Sequence, residues 1–114
     1  NSVFDYSNSV KLFLSDVSIK IEEDTVAQMK NGKVVGLDPA KPERSSLYQS
    51  LKQFKEKQIS DAKLAALETG EKPKDDFHVL FFCDRNLSFK TMNSIIKVAA
   101  AAGYPNFQLA VMER

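Results

Sequence analysis

The stretch that decides the fold runs from Val79 to Val111 and reads VLFFCDRNLSFKTMNSIIKVAAAAGYPNFQLAV. Its first segment, Val79–Cys83, is apolar on both faces of an extended chain, which is typical of an inner strand of a sheet. Ser88 is a good N-cap for a helix, and Gly103 is a natural residue just beyond its end. In Phe107–Val111, every second residue is a large apolar one, which predicts a last strand. The order strand, helix, strand predicts a β-α-β unit with parallel strands.

Upstream of this unit, the N-terminal third has the pattern of a β-meander. Val17–Ile21 alternates apolar and polar residues, whereas Val10–Leu14 fits either a strand or a short helix. Thr25–Lys30 would be a return strand. Asn31-Gly32 is a strong hairpin signal, because both residues tolerate positive φ. Lys33–Leu37 would then form the next strand.

A long helix is predicted between the meander and the β-α-β unit. Ser46 can cap its start, with Gln49 completing a capping box, and Thr69-Gly70 can end it. Because such a helix is long for so small a domain, a break between residues 58 and 61 is an alternative. The predicted polar face is expected to be solvated, with binding of an anionic glycan or lipid headgroup as the alternative. That face carries Lys52, Lys55, Glu56, Lys57, Asp61 and Lys63.

The order of elements predicts an α+β fold. We expect a two-layer α/β sandwich, with a mixed sheet of four or five strands and two helices on one face. The second face of the sheet would then be uncovered, and its phenylalanines imply an apolar surface or a partner. The domain is expected to cover residues 10–114 and to follow a flexible lead-in over residues 1–9.

Composition excludes several classes of function. A net charge of +1 gives no broad electrostatic case for nucleic acid. One cysteine and one histidine leave no internal disulfide, and little material for a zinc site or a Ser-His-Asp triad. No apolar run approaches the roughly 18–20 residues that span a bilayer. Because the chain begins at Asn1, we expect it to follow a segment that is absent from this sequence.

Cys83 and His78 are the residues that most suggest chemistry. In a regular strand they would be ~16 Å apart and on opposite faces, which excludes a Cys-His pair within one chain. Cys83 is therefore expected to be a small buried apolar side chain. The sequence predicts no enzyme, no catalytic residue, no cofactor and no metal.

The corner after the first strand of the β-α-β unit is polar. Asp84 and Arg85 could be no more than a charged corner, with Asp84 accepting hydrogen bonds from the N–H groups that start the next helix. Alternatively, Asp84, Arg85, Asn86 and Phe89 form a binding surface for a peptide or a glycan. A catalytic acid is disfavoured, because no second carboxylate lies nearby in the sequence.

The last predicted strand is the second candidate for binding. Residues 108–112, QLAVM, carry no charge, although charges are the usual protection of a sheet edge. If this strand lies at an edge, it can pair with a second copy or with an extended peptide. The residues predicted to take part in this pairing are Phe107, Leu109 and Val111.

The segment Val79–Val111 resembles the periplasmic domain of the ExbD/TolR family, the single-pass subunits of proton-driven inner-membrane motors. In that family an apolar strand ends in Asp-Lys or a similar pair, and an aromatic residue, a helix ending in Ala-Gly and a last strand follow. Asp84-Arg85 stands in the place of the Asp-Lys pair, Phe89 in the aromatic place and Ala102-Gly103 at the helix end. Phe89 departs from the family's Tyr and has no hydroxyl to donate.

The resemblance implies a particular setting for this chain. A transmembrane helix with a proton-carrying aspartate would precede it and lie beside an ExbB/TolQ-like membrane subunit. The chain itself would be periplasmic and form a homodimer. It would bind a TonB/TolA-like periplasmic protein or peptidoglycan, and so couple the proton motive force to transport, envelope maintenance or gliding. The alternative is a free-standing small α/β domain that binds a protein or ligand and has no motor role.

Overall fold

The computed structural model describes residues 9–112, which form one mixed sheet and two α-helices. The strands β1 to β6 are Ser9–Leu14, Ser18–Ile21, Asp24–Lys30, Lys33–Val34, His78–Asp84 and Phe107–Met112. The helices α1 and α2 are Ser46–Thr69 and Phe89–Ala101, and a short 3-10 helix covers Pro42–Arg44. The predicted α+β fold is confirmed, but the sheet of the described residues has six strands instead of four or five.

The sheet joins the meander to the β-α-β unit through its two inner strands, β1 and β5. Its strand order is β4-β3-β2-β1-β5-β6. The pairs within β1 to β4 are antiparallel, whereas β5 is parallel both to β1 and to β6. Val10–Leu14 therefore lies in a strand, which decides between the two alternatives. The parallel β-α-β pairing is also as predicted.

The predicted hairpin at Asn31-Gly32 is confirmed. Both residues have positive φ, at 53° and 74°, and the strands on either side pair at Lys30 and Lys33. The strand after the turn is shorter than predicted and ends at Val34. Gly36 follows with a φ of 80°, which turns the chain away from the sheet.

The core lies between one face of the sheet and the two helices. The strands contribute alternate residues to it, and both helices contribute their inner stripes. Its main members are Val10, Leu12, Leu14, Ile19, Ile21, Leu47, Leu51, Val79, Phe81, Cys83, Ile95, Val98 and Ala99. On the second face, Phe13 and Phe82 stack with ring centroids 5.0 Å apart. No helix of residues 9–112 contributes to that face, so the two-layer prediction holds.

Helix α1 begins one residue earlier than its predicted cap implied. The N-cap is Ser45, whose Oγ accepts a hydrogen bond from the Tyr48 N–H at 3.1 Å. Ser46 instead donates its hydroxyl to the Val26 carbonyl at 2.8 Å, and so ties the helix to β3. The predicted capping box of Ser46 and Gln49 is therefore wrong, because the residue three positions after the N-cap Ser45 is Tyr48, which cannot complete such a box.

The second half of α1 extends beyond the core. The helix runs without the proposed break to Thr69 and ends at Gly70, which has a φ of 74°. Leu51 is fully buried, but Leu64 and Leu67 are 60% and 81% exposed. The buried residues of α1, Leu47 and Leu51, thus both lie in its first half.

The predicted lead-in lies almost entirely outside the described residues. Ser9, which the prediction grouped with it, is the first residue of β1 and pairs with His78. Within the described residues, the sheet thus includes one residue of the predicted lead-in.

Candidate functional site

Strand β6 forms one edge of the sheet. Among the described residues it pairs only with β5, so its outer backbone groups have no strand beside them. Phe107, Leu109 and Val111 are 42%, 46% and 61% exposed. The three residues predicted for strand pairing therefore lie on an exposed, uncharged edge strand, which is the arrangement that strand addition needs.

The same three residues point toward the helix side of the sheet. In register, Phe107 lies beside Val79, Leu109 beside Phe81 and Val111 beside Cys83. The ring of Phe107 packs edge-on against that of Phe81, with centroids 5.9 Å apart. The β5 residues are covered by the helices, but their β6 neighbours are not. Strand β6 is thus open along its edge and above its helix-side face.

Asp84 closes the corner between β5 and α2. The residue is only 8% exposed, and its Oδ1 accepts a hydrogen bond from the Asn86 N–H at 3.0 Å. Its carbonyl accepts another from the Leu87 N–H at 3.0 Å. The start of α2 is capped by Ser88, whose Oγ accepts from the Thr91 N–H at 3.1 Å. The structure therefore gives Asp84 a local role in the turn, and little of it is open to a partner.

The other three residues predicted at this corner are exposed. Arg85 and Asn86 lie in the turn, and Phe89, the first residue of α2, is 76% exposed. Asp84 lies beside Met112 in the register of the sheet. The corner and the exposed strand β6 therefore meet at the same end of the sheet. An exposed aromatic ring, a guanidinium and an amide are suited to contacts with a peptide or a glycan.

Cys83 does not have the environment of a reactive thiol. It is 1% exposed, and burial raises its pKa to about 11. His78 is half-buried and lies 3.0 Å from a carboxylate oxygen of Asp76. Within residues 9–112, no cluster of three or more His, Cys, Asp or Glu side chains could hold a metal ion. None of the helices described is long and apolar enough to cross a membrane.

Lys55 departs from the predicted solvated face of α1. It is half-buried, and its ammonium nitrogen lies 5.1 Å from the ring centroid of Phe77 and 4.9 Å from that of Tyr104. Burial lowers its pKa. Helical spacing could have found this contact, since Lys55 lies four residues after Leu51 and shares its inward stripe.

An open groove of about 620 Å³ lies between the tip of the β3–β4 hairpin and the start of α2. Lys33 and Lys90 line it, together with apolar side chains such as Val34 and Leu37. The hairpin is fixed to α2 here, because the Thr91 hydroxyl donates a hydrogen bond to the Gly32 carbonyl. The groove is separate from the exposed edge of β6, because β4 and β6 lie at opposite edges of the sheet.

No protein-family model, curated protein or solved structure gives a significant match to this chain. The resemblance to the ExbD/TolR family therefore rests on the sequence of Val79–Val111 alone.

Proposed function

We propose that this chain is the periplasmic domain of an ExbD/TolR-like inner-membrane motor subunit. One observation carries the proposal: β5, α2 and β6 join the family-like motif to an uncharged, uncovered sheet edge. Such an edge suits a domain that passes force to another chain, because strand pairing engages several backbone hydrogen bonds at once. The domain is not an enzyme, and it acts by binding.

Strand β6 is the proposed contact between two copies of the domain. A second β6 would extend the sheet and satisfy the outer N–H and C=O groups of both strands. Phe107, Leu109 and Val111 would pack on their counterparts across the pair, as cross-strand neighbours do. A TonB/TolA-like protein could occupy the same edge with an extended segment, in competition with the second copy.

The corner residues Arg85, Asn86 and Phe89 are the proposed contact for the load. A guanidinium binds carboxylates in a fixed, two-pronged geometry, and both peptides and cell-wall glycan carry carboxylates. Phe89 adds an exposed ring beside it. Since the corner adjoins the end of β6, a partner strand could contact both surfaces.

The motor role requires a membrane anchor and an ExbB/TolQ-like subunit beside it. The complete reading frame tests this requirement directly. We expect one apolar stretch of ~20 residues upstream of Asn1, with a single aspartate in it. A reading frame without such a stretch would contradict the motor role, and would favour a free-standing binding domain.

Edge pairing is tested by sedimentation velocity over a range of concentrations. We expect the wild-type domain to form dimers and Val111→Lys to weaken them by about tenfold or more, because a lysine would place a charge in the paired strand. Val17→Lys is the matched control, since Val17 is 65% exposed before β2, away from the β6 edge. Wild-type protein that stays monomeric at millimolar concentration would rule out the dimer.

Binding to the cell wall is tested by co-sedimentation with insoluble peptidoglycan. We expect the domain to be retained, and the double variant Arg85→Ala, Phe89→Ala to be retained less. Lys63→Ala is the control, since Lys63 is exposed on the projecting half of α1. Equal retention of both variants would place the glycan contact elsewhere, and no retention of wild type would remove this role.

The groove beside the hairpin supports the second candidate function, a free-standing ligand-binding domain. Its two lysines and apolar walls suit an anionic ligand with an apolar part. Lys33→Ala and Lys90→Ala would weaken binding of such a ligand and leave dimer formation unchanged. The reading frame distinguishes this candidate from the motor role.

A further inference from the structure

Lys55 lies where α1, the start of β5 and the turn before β6 meet. Its ammonium group donates a hydrogen bond to the Gly103 carbonyl at 2.6 Å. The same group lies over the faces of Phe77 and Tyr104, at 5.1 and 4.9 Å from their ring centroids. Two segments distant from α1 in sequence thus converge on this single cation.

The position of the carbonyl favours a cation. Gly103 lies directly beyond the end of α2, which is the end where the helix dipole places partial negative charge. A lysine ammonium near this end is stabilising, and two aromatic faces add cation–π attraction. Lys55 therefore links α1 to the C-terminal end of α2 by charge as well as by packing.

A second contact from α1 fixes the next residue of the same turn. The Tyr104 hydroxyl donates a hydrogen bond to Oε1 of Gln58 at 2.6 Å, and the ring is 1% exposed. Gln58 lies three residues after Lys55, so the two side chains are neighbours on the surface of the helix. Gly103 and Tyr104 are thus held by adjacent positions of α1.

Lys55 also fits closely over Gly103. Gly103 has a φ of 110°, a conformation that other residues rarely adopt. A Cβ at this position would lie 3.8 Å from three carbons of the Lys55 side chain, so the stem of the lysine packs directly on the turn. The contact is made by the whole side chain and not by the ammonium group alone.

Strand β6 depends on this anchor because it has little packing of its own. It starts at Phe107, only a few residues after the turn, and the helices leave its helix-side residues exposed. Its attachments include the ladder to β5, the edge-on contact of Phe107 with Phe81, and the hydrogen bond from the Val79 N–H to the Asn106 carbonyl at 3.1 Å. Loss of the anchor should therefore loosen β6 before it loosens the rest of the sheet.

We propose that Lys55, supported by Gln58, is a positioning residue that anchors the edge strand β6 and so sets how readily β6 pairs with another strand. The pairing part rests on the proposed function of β6, whereas the anchoring part concerns the isolated domain. Through this contact, α1 controls the order of a strand that it does not cover.

The test is native-state hydrogen exchange on dilute, monomeric protein, with Lys55→Met as the main variant. Methionine keeps an apolar stem of similar length and removes the ammonium group. We expect β6 amides to exchange about tenfold faster or more, while β1 amides keep their wild-type rates. Lys63→Met, an exposed lysine on the same helix, should leave both strands unchanged.

Two further variants sharpen the result. Tyr104→Phe keeps the buried ring and removes the bond to Gln58, and it should accelerate β6 exchange by a smaller factor. Lys55→Arg keeps the charge and should restore part of the protection. Equal acceleration of β1 and β6 in Lys55→Met would indicate general destabilisation and overturn the proposal, as would unchanged exchange in β6.

A measurement of dimer formation then distinguishes a failure of the anchoring role from a failure of the proposed pairing function. If wild-type protein dimerises, Lys55→Met should weaken the dimer about tenfold or more. If wild-type protein never associates but β6 exchange responds as expected, the pairing function fails and the anchoring role is supported. If the protein dimerises and Lys55→Met changes neither exchange nor association, the anchoring role is overturned and the pairing function stands.

Discussion

Strands β5 and β6 are neighbours in the sheet, run parallel and carry similar apolar residues, yet their environments differ. In register, Val79, Phe81 and Cys83 lie beside Phe107, Leu109 and Val111, on the same side of the sheet. The first three residues are almost completely buried, and the second three are exposed. The difference is due to the helices, which cover β5 and stop short of β6. An apolar strand is therefore part of the core only where a second layer covers it.

The two edge strands of the sheet differ in length and in charge. The edge strand β4 has two residues, begins with Lys33 and pairs with β3 next to Lys30. A short, charged edge is the usual protection against unwanted pairing. The opposite edge, β6, has six residues and no charge. Protection of one edge and not of the other supports a binding role for β6.

Thiol labelling should give the largest contrast between β5 and β6. The buried Cys83 can react with a disulfide reagent only when the protein opens, because it is 1% exposed and its raised pKa keeps it protonated. Val111→Cys, in a Cys83→Ala background, places a thiol on the neighbouring exposed position. We expect it to react about 10³-fold faster or more, as an opening free energy of roughly 5 kcal/mol implies.

Two references make the labelling result interpretable. Urea-unfolded protein gives the intrinsic rate of each thiol, and Val17→Cys in the same background gives the rate of an exposed residue away from β6. Rapid labelling of native Cys83 would contradict the buried environment of β5. Slower labelling of Val111→Cys with rising protein concentration would show that another copy covers the edge.

Truncation to alanine of two residues that pair in register should give the second largest difference between β5 and β6. Phe81→Ala removes a fully buried ring and should lower the free energy of unfolding by about 3–5 kcal/mol. Leu109→Ala, its neighbour in register, should lower it by less than ~1 kcal/mol, because Leu109 is already partly in water. Urea unfolding measures both. Equal losses would mean that β6 is covered in solution.

Much of this fold was predictable because its signals are local. Ser88 and Gly70 mark a helix start and a helix end through their own side-chain or backbone preferences, and Asn31-Gly32 marks a hairpin in the same way. The inner position of Val79–Cys83 followed from its two apolar faces. The extent of the second layer was not predictable, because it depends on where the helices lie over the sheet. Hence Phe107–Val111 was recognised as a strand, but its exposure became visible only in the structure.

The candidate site was predictable to a similar degree. Asp84 and Arg85 stand side by side in the sequence, yet the turn buries the first and exposes the second. The charge of Lys55 predicts an exposed side chain, whereas its spacing from Leu51 predicts a place on the inward stripe, and the structure follows the spacing. Its partners Phe77 and Gly103 are distant in sequence, and no local pattern links them to α1.

The dependence of stability on alkaline pH should give the smallest difference between a thiol on β5 and a thiol on β6. Burial raises the pKa of Cys83 from 9.0 to about 11, so the fold stabilises the protonated thiol. This contribution is complete below pH 9 and is lost as pH rises through 11, because the unfolded chain ionises first. Burial raises the pKa of Tyr104 as well, which acts in the same direction. The lowered pKa of Lys55 acts in the opposite direction, because desolvation opposes the charge of its ammonium group and outweighs the attraction from the Gly103 carbonyl and the two rings in setting that pKa.

A comparison of variants isolates the part due to Cys83. Between pH 8 and pH 11, wild-type protein should lose about 2–3 kcal/mol more unfolding free energy than Cys83→Ala, since two pKa units correspond to roughly that amount. Val111→Cys in the Cys83→Ala background should follow Cys83→Ala, because an exposed thiol on β6 ionises alike in both states. The measurement is urea unfolding at each pH. If the unfolding free energies of wild type and Cys83→Ala changed equally with pH, the Cys83 thiol would ionise without opening the fold. Strand β5 would then be no better protected from water than β6.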